Sequence, residues 1–141
     1  MATEPNLQRF LDAQATDYAT ALAEMQAGHK RSHWMWYIFP QVQGLGYSET
    51  ARFYAIQDRA EAAAYLAHPV LGPRLLECVH ALLNLKGNDP VEVLGGTDAR
   101  KLQSSMTLFN LAAPQEPWFK ALLGRYYGGV EDQATTSFLA D

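Results

Sequence analysis

Helix punctuation repeats along nearly the whole of this chain, and no other feature limits its possible folds as strongly. Ser48 followed by Glu49 offers a hydroxyl that can accept an orphan backbone N–H and an acid suited to the positive end of a helix. The pair predicts a short helix to about residue 55. Asp58 and Glu61 have the spacing of a capping box, for a helix ending near His68. Asp89, Pro90 and Glu92 combine an N-cap, a proline at the first helical position and a reciprocal acid, and Gly95 and Gly96 close the short helix they open. Thr97 or Asp98 caps the next helix, Pro117 opens another that ends at Gly128 and Gly129, and Asp132 caps a final short one.

Between these marks the apolar residues keep helical spacing. Asn6 or Thr3 opens a first helix with Phe10, Gln14, Tyr18, Leu22 and Met25 on one face, and Gly28 supplies its left-handed stop. After Pro69, a face of Leu71, Leu75, Cys78, Leu82 and Leu85 runs up to Gly87. Leu102, Met106, Phe109 and Ala113 form the inner stripe of the helix that follows residue 97. Strand-like alternation is nearly absent. Only residues 34–42 can run extended, because Pro40 pushes Phe39 out of the helical region. The expectation is an all-α single domain over residues 1–141, with about six or seven helices and an aromatic-rich irregular segment near 32–47.

A chain of 141 residues can bury about two-thirds of its unfolded surface without disulfides or metals. The net charge of −4, with no long run of one sign, argues against affinity drawn from nucleic-acid phosphates. Cys78 is the one cysteine, so no intramolecular disulfide can form, and its place on a leucine face predicts a buried, unreactive thiol. The first residues lack the basic and apolar pattern of a signal peptide. The longest uncharged apolar run, 32–47, is interrupted by Pro40 and glycines and is too short to span a bilayer. No membrane association and a cytoplasmic location are expected.

Residues 28–48 exceed what folding alone requires. Trp34, Trp36, Tyr37 and Phe39 crowd together, preceded by His29, Lys30, Arg31 and His33 and followed by a turn containing Gly44 and Gly46. Such a segment is either an aromatic core plug or the wall of a pocket for a flat ligand. Aromatic clusters are more often interior, which favours the core. As a pocket, the aromatics stack on a planar group while Lys30, Arg31 or His33 holds an anion. The glycine turn permits close backbone approach but is no dinucleotide fingerprint, since no strand–turn–helix unit surrounds it.

Lys101, Ser104 and Ser105 lie three and four positions apart on one helix, the spacing for a desolvated lysine to act as base toward a serine. Ser105, however, shares the stripe of Leu102 and Phe109, and neither serine sits on the sharp turn that exposes a nucleophile. Helix packing or ligand contact is the better reading. Cys78 and His80 project about 200° apart on a helix and no spaced ligand set accompanies them, so no metal is expected. His80 falls in line with Leu76 and Leu83 as a core or boundary histidine, and His68 before Pro69 reads as a cap.

Several segments together resemble a known family. They are Arg9-Phe10 with Ala13-Gln14, the run Lys30-x-Ser32-His33-Trp34-Met35-Trp36-Tyr37-Ile38-Phe39-Pro40-Gln41, and Gly44-Leu45-Gly46-x-Ser48. Tyr65-Leu66-x-His68-Pro69-x-Leu71-Gly72-x-Arg74-Leu75 and Asp98-x-x-Lys101-Leu102-x-Ser104-Ser105-Met106-Thr107-Leu108-Phe109 continue the match over nearly the whole chain. The chain resembles domain-of-unknown-function family 1810, small bacterial and fungal proteins sometimes mislabelled calpastatin. The resemblance implies a mainly helical fold and no particular activity. Calpastatins are disordered and poor in aromatics, whereas this chain has the apolar content of a packed domain.

The reading that unites the candidates is a pocket built from residues 30–48 and the helix over 98–109, for a small anionic or planar, nucleotide-like metabolite and without a cofactor. His33 is the candidate general acid/base, because imidazole titrates near neutral pH. Lys101 meets negative charge, with Asp98 and Ser105 positioning it. Trp36 stacks, Gln41 orients by hydrogen bonds, and Lys30, Trp34 and Ser104 complete the ligand-binding set. All of this requires two segments more than fifty residues apart to meet. The rival is an interaction module whose exposed aromatics dock a protein partner. A concave site where His33, Gln41 and Lys101 converge favours the first, and a flat apolar patch the second.

Overall fold

The computed structural model describes residues 6–139, and the caps read from the sequence set many of its helix boundaries. α1 (Gln8–Ala27) ends at Gly28, whose φ of 77° lies in the left-handed region. α2 (Met35–Ile38) is a single turn inside the aromatic segment. The Ser48 hydroxyl accepts the Ala51 N–H at 3.1 Å to start α3 (Glu49–Phe53), and the Asp58 carboxylate accepts the Glu61 N–H at 2.8 Å to start α4 (Arg59–Ala67). His68 Nδ1 accepts the N–H groups of Val70 and Leu71 at 3.1 and 3.3 Å, opening α5 (Leu71–Leu83). Asp89 caps α6 (Pro90–Leu94) through the Val91 N–H at 2.9 Å. α7 (Gly96–Ala112) and α8 (Pro117–Tyr127) follow, and Asp132 accepts the Thr135 N–H at 2.9 Å to cap α9 (Gln133–Phe138).

The differences from the sequence reading are local. Nine helices form among the described residues rather than six or seven, since several are only four to six residues long and α2 lies where an irregular segment is expected. Phe39 is indeed non-helical, and Val42 pairs with Ile56 in one isolated parallel bridge. α7 begins at Gly96 with Gly95 in the cap position, so neither Thr97 nor Asp98 caps it with a side chain. Leu7, not Asn6, occupies the cap position of α1, and Thr3 lies outside the described residues. α5 stops at Leu83, before Gly87.

α7 is the central element and touches α4, α6, α8 and α9, while α1 packs on α2 and α5. Residues 104 to 109 are buried in an unbroken run, so this part of α7 is enclosed on all sides rather than striped. That enclosure explains why a polar sequence such as Ser104, Ser105 and Thr107 occurs there: their hydroxyls are small and sit inside the packing, and those of Ser104 and Thr107 bond back to the preceding turn. His80 is exposed instead of buried, with its ring edge-on to Trp118 at 4.5 Å.

Cys78 has no exposed surface, and burial pushes its thiol up to about 12. At pH 8 a thiol reagent is therefore expected to label the native protein only as fast as the fold opens, and denaturant should release the full reactivity at once. Rapid stoichiometric labelling without denaturant would contradict this placement.

Candidate functional site

The site is organised by a residue that periodicity assigns to the outside of α1. Glu24 lies in the last turn, where the helix dipole opposes an anion. Its Oε1 accepts hydrogen bonds from the N–H groups of Arg31 and Ser32 at 2.8 and 2.9 Å and from Trp34 Nε1 at 2.9 Å, while Oε2 accepts the Ser32 hydroxyl at 2.7 Å. Burial disfavours the charged carboxylate, but the hydrogen bonds from Ser32, Arg31 and Trp34 outweigh it and lower its pKa to about 2. One side chain thereby folds residues 31–34 back on the helix that precedes them.

Lys30 leaves this turn toward α7. Its backbone N–H donates to the Val93 carbonyl at 2.8 Å, and its Nζ lies 2.8 Å from Asp98 Oδ2 with only 7% of the side chain exposed. Asp98 sits in the first turn of α7, where the dipole favours its charge. Its other oxygen is 3.7 Å from Lys101 Nζ, and that ammonium stands 5.1 Å from the centre of the Trp36 ring. The His33 ring is 6.5 Å from the same indole. The two distant segments therefore meet, through Lys30–Asp98 and Lys101–Trp36.

Two adjoining clefts flank this junction. The first, of about 330 Å³, is lined by Trp36, Gln41, Gln43, Tyr47, Arg52 and Tyr54 among others. The second, of about 460 Å³, includes Gln41, Tyr47, Ser48, Arg100, Lys101, Ser104 and Asp132. Gln41, Gly46, Tyr47 and Ala51 border both. A Cβ at Gly46 would stand 2.5 Å from that of Ala51, so the shared wall closes onto α3 only because residue 46 has no side chain.

A family model described as a protein of unknown function, DUF1810, matches residues 4–139. The chain belongs to this family. Its fold is similar to the crystal structure of the conserved hypothetical protein Rv1873 from Mycobacterium tuberculosis. That protein is 48% identical, with 96% of this chain and 97% of that one covered and a TM-score of 0.95. No curated protein matches the chain. Among the described residues of this DUF1810 member, no helix is long and apolar enough to cross a membrane. No three His, Cys, Asp or Glu side chains among them are grouped so as to hold a metal ion.

The sequence candidates separate by location. Trp36, Gln41, Lys101 and Ser104 line a cleft, and Asp98 and Lys30 stand behind Lys101 as an ion pair. His33 is exposed beside Trp36 and lines neither cleft. Trp34 is 1% exposed, its indole N–H spent on Glu24, and Ser105 is fully buried with no partner for its hydroxyl among the described residues, so both belong to the core rather than to a ligand surface. Ser104 donates to the Arg100 carbonyl at 3.2 Å, not to Lys101. Tyr37 and Phe39 are also buried, which leaves most of the aromatic segment inside. Arg52, Arg100, Tyr47 and Tyr54 carry no signal of a site in the sequence, because each reads as an ordinary helix-surface or loop side chain until the fold sets it on a cleft wall.

Proposed function

We propose that this DUF1810 protein is a cytoplasmic binding protein for a small anionic metabolite with a planar group, held among Trp36, Gln41 and Lys101. The observation that carries the reading is charge placed against the balance of the whole chain. The net charge is −4, yet Arg52, Arg100 and Lys101 line the two clefts against one carboxylate among the described residues, Asp132. Concave walls of low dielectric concentrate such a field and draw anions in. Asp98 is already held by Lys30 at 2.8 Å and stands farther, 3.7 Å, from Lys101, so Lys101 keeps positive charge to offer a ligand.

A thermal-shift screen of metabolite anions tests this. A ligand at a hundred times its dissociation constant is expected to stabilise the protein by about 2.7 kcal/mol. Lys101→Met retains the aliphatic stem and leaves Asp98 paired with Lys30, so the fold should survive while the ligand shift is lost. Absence of any stabilising anion, or full retention of affinity in Lys101→Met, would sink the reading. A second reading, docking of a protein partner, is favoured by Tyr47 and Phe53, which are 80% and 58% exposed. It predicts that Lys101→Met is silent and that Phe53→Ser, which lines neither cleft, is not.

A further inference from the structure

Resting on that reading, we infer that the two clefts are halves of one site whose ligand is a phosphate monoester carrying a planar heterocycle, the chemistry of a nucleoside monophosphate or a flavin mononucleotide. The halves differ in what they offer. The first presents the aromatic side chains of Trp36, Tyr47 and Tyr54 with the Gln41 amide. The Gln41 carbonyl accepts the Ile56 N–H at 2.8 Å, which anchors its backbone, while its side-chain amide has no hydrogen-bond partner among the described residues. An unspent amide on an anchored backbone supplies both donor and acceptor to the edge of a heterocycle whose face lies on an aromatic ring. Gln43 is not equivalent, since its Nε2 already donates to the Gln57 carbonyl at 3.1 Å.

The second half presents Arg100 and Lys101, neighbours on α7, and the Ser48 hydroxyl. Ser48 uses its oxygen to accept the Ala51 N–H, so its proton remains to be donated. Asp132, the one carboxylate lining this half among the described residues, is engaged at the start of α9, where it accepts the Thr135 N–H and hydroxyl at 2.9 and 2.6 Å. Across the two halves together, Arg52 in the first and Arg100 and Lys101 in the second stand against that one lining carboxylate, an excess of two positive charges over the whole site. A phosphate monoester, with a charge of roughly −1.5 to −2 and three acceptor oxygens at neutral pH, matches this excess, whereas a lone carboxylate under-fills it and a triphosphate exceeds it. Because Lys101 Nζ lies over the Trp36 ring, 5.1 Å from its centre, the cation that holds the phosphate adjoins the aromatic wall that receives the heterocycle. Guanidinium and ammonium together supply the forked and point-charge contacts that phosphate binding uses.

The test is calorimetric titration of the full chain with AMP, GMP, CMP, UMP and FMN, each against its dephosphorylated form, and of the nucleotides against their triphosphates and NAD. At least one monophosphate should bind about tenfold or more tightly than its dephosphorylated form and more tightly than the triphosphate or NAD. Arg100→Met and Lys101→Met should erase the phosphate preference, and Gln41→Ala should keep that preference but change the ranking among heterocycles. Equal affinity for a monophosphate and its parent, tighter binding of triphosphate or NAD, or no binding of any of the five overturns the inference. If those five fail while another anion binds in a Lys101-dependent way, the broader reading stands and this one falls. If no anion binds at all, both fall.

Discussion

Replacing Glu24 with Ala is expected to lower the unfolding free energy by about 3 kcal/mol, the upper range for losing hydrogen bonds to a charged acceptor. The cost falls unevenly on its donors. Arg31 is exposed and Ser32 half-buried, so their N–H groups can turn to water, but Trp34 is buried and its Nε1 would be left without an acceptor. Glu24→Gln should cost clearly less, because an amide oxygen can still accept the three bonds now made to Oε1. The carboxylate also predicts a pH dependence. Its pKa is lowered in the fold from the ordinary 4.5 to about 2, so its contribution is fully present above about pH 4.5 and is lost as pH falls toward 2. Urea unfolding should therefore show the gap between the parent and Glu24→Ala narrowing over that window. A gap under about 0.5 kcal/mol at pH 7, the size of an ordinary surface substitution, would mean Glu24 is no staple.

Gly72→Ala is expected to be at least as damaging. A Cβ at Gly72 would lie 2.1 Å from the carbonyl oxygen of Leu66 and 3.0 Å from its carbonyl carbon. Those atoms are backbone in the last turn of α4, so relief requires α4 and α5 to separate. Separation would open the packing around Tyr65, Leu71 and Leu75, which are essentially solvent-free. Overpacking of this kind costs about 3 kcal/mol or more, against a helix-propensity gain of about 1 kcal/mol from replacing glycine with alanine. The steric term wins. Gly124→Ala in α8 is the control, since a Cβ there meets nothing within 4 Å and should stabilise slightly. Equal behaviour of the two variants in thermal melts would refute the close α4–α5 approach.

Both effects bear on the site. Glu24 holds the turn from which Lys30 reaches Asp98, so Glu24→Ala should weaken any Lys101-dependent ligand binding as well as the fold, although Glu24 lines neither cleft. The sequence marks Lys101, Trp36, Gln41 and Asp98 as candidates because cation, aromatic, amide and acid are chemically conspicuous side chains. It ranks Trp34 with Trp36, and only the fold separates them. It also passes over Glu24, Arg52 and Arg100, since charged residues on helices are ordinarily solvated and nothing local distinguishes one that finds a partner.

The sequence alone determined the all-α class, the caps at Ser48, Asp58, Asp89 and Asp132, the left-handed stop at Gly28 and the buried faces of α1 and α5. The caps and the stop are each complete within a turn or two of their own backbone, where hydrogen-bond partners lie at fixed spacings, and the buried faces are read from apolar residues at helical spacing. Tertiary structure decided that residues 35–38 make a helical turn, that Trp34 faces inward and Trp36 the cleft, and that Lys30 meets Asp98. Those outcomes join residues far apart along the chain. Their energies depend on distances of a few ångströms between packed helices, and such distances exist only once the whole core has closed.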